Sequence, residues 1–544
     1  MRHLHPFQGD MIKRIRQIVQ MGFLLFFLYL FFRTAYPLTS RLPVDLFLRI
    51  DPLVALGTLL SGHAWVGKAL WSLVLLGATL LIGRFFCGWI CPMGTSIAVS
   101  EKIFGFAPQR HGEHRELQNT GFLRALRASV VRIPNLKMYF LGLLLVSCLF
   151  GFSAFLLFDP LVLLMRTATL AFFPILIFAV NLGLQTVGPL AERIGWDALS
   201  YMSYAQPYFG WNMVALILFI GIMALSAIAR RFWCRNLCPL GALLSLFSRF
   251  GGIKRRVSDA CIECGLCARR CPMGAIPEDV HATRTPECIQ CQTCAAVCSE
   301  DAIHFGRSTP REQVQRAFDP SKRALLVSAG AGLVVAAAAR TGASVPMPDT
   351  YLIRPPGALP ESSFLDRCVR CGACMKVCPT YGLQPSFLQS GIEGFWTPRL
   401  VPRIGGCEQK CNLCGRVCPT GAIRDLPLEE KQFAKIGTAI IERRKCLAWE
   451  QMKTCLVCDE ACPYDAIEFR VVTDFIGTFR RPFVIEEKCI GCGLCEQKCP
   501  VGGASAIRVD RTEEERRASG SYITERKRQL REVHDEEKDY FEEM

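Results

Sequence analysis

The sequence predicts a multidomain protein in which an α-helical transmembrane bundle with an internal repeat is followed by small α+β domains. Three observations carry that prediction. Hydrophobic residues make up 51% of the 544 positions and charged residues only 20%, a balance too apolar for a disordered chain or an ordinary soluble enzyme. The longest apolar runs gather in the first half. The 29 cysteines fall almost entirely into short repeated motifs; only Cys148, inside an apolar run, stands alone, and it reads as a small buried apolar residue.

Positions 1–260 hold 25 Lys/Arg against 10 Asp/Glu, whereas 261–544 hold 38 of each, so the net charge of +15 lies in the first half. The basic residues flank apolar runs, as the positive-inside rule expects, rather than forming the patch of a nucleic-acid binder. Membrane lipid is therefore the expected partner, and nucleic acid is not. Four runs, 17–35, 65–84, 137–158 and 211–230, reach the roughly 20 residues a bilayer requires. Lys13, Arg14 and Arg16 before the first run mark the cytoplasmic side, as does the loop 101–137 with Lys102, Arg110, Arg115, Arg124, Arg127, Arg132 and Lys137. A further stretch, 167–188, is expected not to cross, because crossing would turn Arg230 and Arg231 outward. The first run is too long for a cleavable leader and lacks a small-residue cleavage site after it.

Two copies of one pattern lie within these runs. Asp51-Pro52-Leu53-Val54 recurs as Asp159-Pro160-Leu161-Val162, and Arg84-Phe85-Phe86-Cys87-Gly88-Trp89-Ile90-Cys91-Pro92 recurs as Arg231-Phe232-Trp233-Cys234-Arg235-Asn236-Leu237-Cys238-Pro239. Parallel copies of this kind imply a pseudo-two-fold axis along the membrane normal. The expected organisation is a four-span membrane domain (1–252), a soluble cysteine-rich domain (253–310), a fifth span or signal-like anchor (320–345), a second cysteine-rich domain (346–510) and a charged tail (511–544). The tail holds 19 charged residues of mixed sign and is expected to be a solvated helix.

The cysteine spacing names the chemistry. Cys261, Cys264, Cys267 and Cys271, then Cys288, Cys291, Cys294 and Cys298, have the C-x2-C-x2-C-x3-C run of bacterial-type two-cluster ferredoxins, in which the fourth cysteine ligates the other cluster. The expected sets are 261/264/267/298 and 288/291/294/271. Repeated runs of this form surround cubanes rather than single zinc ions. The second domain repeats the theme with Cys368, Cys371, Cys374 and Cys378; Cys407, Cys411, Cys414 and Cys418; Cys446, Cys455, Cys458 and Cys462; and Cys489, Cys492, Cys495 and Cys499. Twenty-four cysteines in six sets of four imply six [4Fe–4S] clusters, a dicluster and a four-cluster ferredoxin domain.

The remaining four are Cys87, Cys91, Cys234 and Cys238. If the spans continue as helices, i and i+4 put each pair on one face, and the repeat brings the faces together. They are either ligands of a seventh Fe–S centre or redox-active or structural thiols. Quinone-site candidates are Asp51, His63 and Asp159, of which the two aspartates also read as helix caps before proline. No histidine lies mid-span and no Cys-x-x-Cys-His occurs, so haem has no ligands here.

Positions 1–305 resemble the NapH-type membrane ferredoxins that also occur in the C-terminal half of NosR, and positions 320–510 are similar to the NapG/MauM-type ferredoxins. The resemblance implies a fusion of the two: an inner-membrane, multi-pass protein that oxidises quinol and passes electrons to a periplasmic cytochrome or reductase, the four-cluster domain being periplasmic. Ser321-Lys322-Arg323-Ala324 resembles a twin-arginine box with Lys322 in place of its first arginine. The resemblance further implies nested pairing in the second domain, with sets 368/371/374/499, 489/492/495/378, 407/411/414/462 and 446/455/458/418. Two other readings remain open at this stage: a wholly cytoplasmic polyferredoxin feeding the quinone pool or a reductase, and an accessory factor for maturing a metalloenzyme.

Overall fold

The computed structural model describes residues 6–40, 42–63, 66–104, 136–307, 322–340, 349–473 and 477–524. The chain divides into two compact units. The first comprises Met1–Arg33, Leu42–Thr167 and Met213–Ala338, and the second Thr34–Arg41, Ala168–Asn212 and Ala339–Met544. Arg110, Arg115, Arg124, Arg127, Arg132 and Ser321 lie outside the described residues.

The first unit is helical up to residue 248. Its helices are α1 (Pro6–Arg33), α2 (Pro52–Gly62), α3 (Ser72–Ile82), α4 (Pro92–Ile103), α5 (Leu136–Leu149), α6 (Pro160–Thr167), α8 (Asn212–Ala224) and α9 (Pro239–Ser248); α7 (Phe173–Arg193) belongs to the second unit. By length and composition, two helical stretches among the described residues could cross a membrane, Met11–Arg33 and the 34-residue Pro160–Arg193. Of the four expected runs, 17–35 lies largely in the first of these, and 65–84 adds a third only if the bent pair it opens is one span. The run 65–84 forms a 3-10 turn and α3, then bends by 95° into Phe85–Ile103. Gly83 supplies the bend with φ 95°, a backbone state open to glycine and strained for other residues. The run 137–158 breaks after Leu149 at Gly151, φ 82°, and 211–230 leaves the α-helix after Ala224. The stretch 167–188, expected to stay out of the bilayer, instead lies inside the longest apolar helical run. A π-turn at Ala168–Phe172 keeps that run going, as such single-turn bulges do within α-helices.

The two sequence copies fold into corresponding short helices. Asp-Pro opens α2 and α6, and Cys-Pro opens α4 and α9, because proline at the first helical turn sacrifices no hydrogen bond. The copies exchange partners: α4 packs on α6, and α9 packs on α2 and α3. The 19-residue helix Lys322–Arg340 uses small residues for close approach. A Cβ on its Gly332 would lie 2.9 Å from the Leu143 carbonyl, and Ser328 faces Gly142 of α5.

The cysteine-rich part of the first unit is closed by β1 (Ile253–Val257) and β2 (Ile303–Arg307), antiparallel with Ile253 opposite Arg307. Between them the short helices Leu266–Arg270 and Thr293–Ala296 pack together. The second unit repeats that plan twice. Ala358 bridges Ile423 around one pair of motifs, and β5 (Thr438–Ile441) pairs with β8 (Ile507–Asp510) around the other. Strands β3 (Leu383–Pro385) with β4 (Pro398–Leu400), and β6 (Ile467–Thr473) with β7 (Thr478–Val484), form two further antiparallel hairpins. The tail expectation is corrected for its described part: residues 511–524 are turns, not helix. They return to the core, where Tyr522 is wholly buried beside Leu426 and Ala434.

Candidate iron–sulfur sites

Each C-x2-C-x2-C turn shares a backbone signature. The residues before and after the second cysteine take positive φ: Glu263 and Gly265, Gln290 and Gln292, Arg370 and Gly372, Gly491 and Gly493. Such turns fold the backbone around a cavity and aim N–H groups into it, the arrangement that receives anionic sulfur. Only half of these positions are glycine, so composition alone does not reveal them. Fourth cysteines gain a donor four residues on: Ala275 N–H to Cys271 Sγ at 3.3 Å, Ala302 to Cys298 at 3.4 Å, and Ala466 to Cys462 at 3.3 Å.

In the first unit Cys271, Cys288, Cys291 and Cys294 line one cavity, the set expected from spacing. Cys261, Cys267 and Cys298 pack around Ile276, Val280 and Ile303, while Cys264 is exposed. Arg255 on β1 reaches between the two sets. Its Nη2 lies 3.6 Å from Cys267 Sγ, and its Nη1 donates to Val280 O.

The second unit overturns the nested pairing. Cys368, Cys371 and Cys374 share a cavity with Cys418; Cys446, Cys455 and Cys458 share one with Cys499; and Cys489, Cys492 and Cys495 share one with Cys462. Cys378 is the charge neighbour of Cys407, Cys411 and Cys414. Adjacent motifs therefore exchange their fourth cysteines, first with second and third with fourth. The reason is local closure: each antiparallel bridge encloses two consecutive motifs, and the short helices after them pack as pairs, Ala373–Val377 on Leu413–Arg416 and Val457–Glu460 on Leu494–Lys498. Each of the three cavities is lined by four cysteines, as is the one in the first unit. No three His, Cys, Asp or Glu side chains among the described residues sit close enough for a single metal ion. Four cysteines lining one cavity fit a cubane instead.

Cys87, Cys91, Cys234 and Cys238 form one group. Cys238 has Cys234, Cys87 and Cys91 as charge neighbours, and Cys91 has Cys87 and Cys234. The continuous helix expected through each pair is not observed. Phe85–Trp89 and Phe232–Asn236 end before the second cysteine, and Cys91 and Cys238 become N-caps of α4 and α9. The proline that follows is the cause, since it pushes its predecessor out of the helical region. Cys91 Sγ accepts from Gly94 N–H at 3.4 Å and Cys238 Sγ from Gly241 N–H at 3.2 Å.

The segment Pro286–Thr293, which carries two ligands of the 271/288/291/294 set, docks directly on this group. Arg84 Nη1 donates to Pro286 O at 2.8 Å, Trp89 Nε1 to Gln290 O at 3.0 Å, Gln290 Nε2 to Ile82 O, and Arg16 Nη1 of α1 to Cys291 O at 2.8 Å. Gly88 lets the backbones touch, because a Cβ there would lie 2.2 Å from the Ile289 carbonyl. Glu287 pairs with Lys137 and sits 3.5 Å from Arg84. Against the effect of burial, these two cations hold its carboxyl below the ordinary range.

Asp51 and Asp159 are wholly buried caps, Asp51 accepting from Leu53 and Val54 N–H and Asp159 from Leu161 and Val162 N–H. The two carboxyls are also charge neighbours, and the Oδ2 of each is buried without a hydrogen-bond partner among the described residues. His63 is left apart from them, exposed at the far end of α2. In the second unit Glu361 is clasped by Arg354 (Nη2–Oε1 2.5 Å), Arg516 and Ser390. Although burial opposes it, the two guanidinium groups hold the Glu361 carboxyl down to about 2.

Comparison with known proteins agrees with this geometry. A 4Fe-4S binding domain family matches residues 64–110 and 211–258, and another matches 364–383; 4Fe-4S dicluster domain families match 253–303 and 453–503. The methylamine utilization ferredoxin-type protein MauM of Paracoccus denitrificans is 38% identical over 210 residues, 37% of this chain and 90% of that protein. The ferredoxin-type protein NapG of Escherichia coli is 36% identical over 27% of this chain and 65% of its own length, and NapF of the same organism 33% identical over 28% and 84%. No solved structure matches. Through the portion shared with MauM, the chain belongs to the MauM family of ferredoxin-type iron–sulfur electron-transfer proteins.

Proposed function

We propose that the chain is a membrane-bound electron-transfer protein that takes electrons from quinol in its apolar helical half and delivers them to a periplasmic redox partner, a cytochrome or reductase. The observation that carries this reading is the docking of Pro286–Thr293 on the Cys87/Cys91/Cys234/Cys238 group, which joins the apolar helices to a ferredoxin site without an intervening linker. Bound [4Fe–4S] clusters would supply one-electron chemistry. The six cysteine sets would hold them.

Membrane insertion is supported by the outward faces of the helices. Ile15, Ile18, Leu25, Tyr29 and Phe32 form an exposed stripe on α1, and Ile175, Phe178, Leu182, Val187 and Leu190 are exposed on α7. Apolar faces of this extent need lipid or protein to cover them. In this reading Lys322–Arg340, which is not among the stretches apolar enough to cross, is a signal-like anchor whose small residues pack against α5, and the four-cluster domain lies on the outer side. Asp51 and Asp159, buried charge neighbours, would receive a proton from quinol in this reading; His63 has no part in that pair.

The experiment is anaerobic mixing of the full chain, in detergent, with a short-chain quinol while its visible iron–sulfur absorption is followed. Quinol is expected to bleach the absorption, and Cys288→Ser to block most of that bleaching. Clusters that dithionite reduces but quinol leaves oxidised would overturn the reading.

A further inference from the structure

We infer that electrons leave the second unit at the centre held by Cys446, Cys455, Cys458 and Cys499, through a surface of arginines stacked on aromatic rings that docks the acidic face of a soluble redox protein. The inference rests on the proposed function for the direction of electron flow, and not for the surface itself.

Two elements beside that cysteine set build the surface. The short helix Leu447–Glu450 follows Cys446 directly, and β7 brings Pro482 into the lining of the same cavity. Trp449 joins the two: its Nε1 donates to Pro482 O at 3.2 Å, and its ring meets the Phe483 ring edge-on at 5.4 Å. Arginines lie over these rings. Arg443 is 4.2 Å from the Trp449 ring centre, Arg481 is 4.9 Å from it, and Arg470 is 5.1 Å from that of Phe483. Arg470 stands opposite Arg481 across β6 and β7, so both project from one face of the hairpin.

Stacking on rings holds these like charges together without neutralising them. Arg443 is exposed and pairs with no carboxylate among the described residues, while Glu442 is engaged by Lys445 and Glu468 by Arg470. That leaves Glu450 as the remaining carboxylate of 442–453 against Arg443, Arg444 and Lys453. Asp459, Glu460 and Asp465 are charge neighbours together with Arg480, which projects from the opposite face of β7 to Arg481.

The cysteines and their surroundings supply a separate observation. Cys446, Cys455 and Cys458 are partly exposed, whereas Cys489, Cys492 and Cys495 of the adjoining set are buried. Cys407, Cys411 and Cys414 are partly exposed too, so it is the arginines that single out the 446 set. Met452 and Leu456, on either side of Cys455, are exposed apolar side chains. Apolar contacts with charge around them are the make-up of a protein interface, and an excess of positive charge selects and steers a partner whose face is acidic. At the contact one electron passes: iron in the cluster is oxidised, the partner's metal centre is reduced, and no bond forms or breaks.

The test reduces the full chain with dithionite, removes the excess anaerobically, and mixes it by stopped flow with plastocyanin, an acidic copper protein, or with mitochondrial cytochrome c, a basic haem protein. Plastocyanin reduction is expected to slow roughly tenfold between about 10 and about 300 mM salt, and by a similar factor at low salt in Arg443→Glu/Arg470→Glu. Arg443→Lys should keep most of the rate, and cytochrome c should show the opposite salt trend. Arg443→Gln, a milder change at an exposed residue, should slow plastocyanin about two- to threefold and keeps the outcome readable if the double variant fails to fold; electron paramagnetic resonance (EPR) spin counts confirm filled clusters in each. Plastocyanin rates indifferent to salt and to these variants would overturn the inference and reduce the stacking to a fastening of the hairpin. Protection of Arg443 from phenylglyoxal when the chain is reconstituted in phosphatidylglycerol vesicles would also overturn it, by assigning the arginines to lipid. Dithionite replaces quinol throughout, so failure here leaves the quinol reading standing, and a chain that quinol does not reduce still reports on this surface.

Discussion

Replacing Arg255 with glutamine removes the buried positive charge nearest the two cluster sites of the first unit. Arg255 is 8% exposed, lies 3.6 Å from Cys267 Sγ and is also a charge neighbour of Cys294. Reduction adds one negative charge to a cluster, so this guanidinium stabilises the reduced state. With an effective dielectric of about 20 and a mean separation of about 6 Å to the spread charge, the interaction is about 3 kcal/mol. At about 59 mV per 1.4 kcal/mol for one electron, that corresponds to roughly 120 mV, and water entering the vacated space would trim it to about 50–100 mV. The assay is an EPR-monitored redox titration of the full chain. Arg255→Gln should lower the potential of at least one dicluster centre by that amount, Arg255→Lys should recover most of it, and spin counts should be unchanged. Potentials that stay put in Arg255→Gln with clusters intact would refute the reasoning.

Three further outcomes are expected. Cys499→Ser should abolish the signal of the centre held by Cys446, Cys455 and Cys458 and spare that of Cys368, Cys371 and Cys374, whereas Cys418→Ser should do the reverse; nested pairing demands the opposite pattern. Gly88→Val should force the Ile289 carbonyl away, at about 1–3 kcal/mol of overpacking, and slow quinol-driven reduction without altering reduction by dithionite. Glu361→Gln should destabilise the second unit by up to about 3 kcal/mol at pH 7, from the fall of its carboxyl from 4.5 to about 2. That carboxyl is depressed, so its contribution is complete above the unfolded value and is lost as pH falls below about 4.5 toward 2. Thermal unfolding should therefore show a gap between wild type and variant that narrows on acidification, and a gap independent of pH would count against the ion cluster as its source.

That the cysteines gather in fours was legible in their spacing: three on one turn and a fourth borrowed from another motif. Which motif lends the fourth is not written in spacing. It is decided by β5 with β8 and by the Ala358–Ile423 bridge, which close around consecutive motifs. Hydropathy located the apolar segments but not their breaks, since Gly83 and Gly151 count as one residue each in a window average while redirecting the whole chain. The same averaging missed the π-turn that carries Pro160 through to Arg193. Arg84 and Arg231 were visible as repeated letters, yet basic residues at the ends of apolar runs read first as topology signals. Their reach across the copies to Gly241 and Gly94 appears only in the fold. Residues 511–524 of the tail were misread because their charge hides Tyr522, which anchors them.

The central claim, that electrons enter from quinol and leave through the second unit, is tested most directly in sealed proteoliposomes. The full chain would be reconstituted with quinol in the bilayer and a membrane-impermeant oxidant outside, and oxidant reduction followed with time. The account predicts steady reduction by chains whose second unit faces outward, abolished by Cys288→Ser. No reduction in vesicles whose clusters are filled and whose second unit is shown by protease to face the oxidant would contradict it.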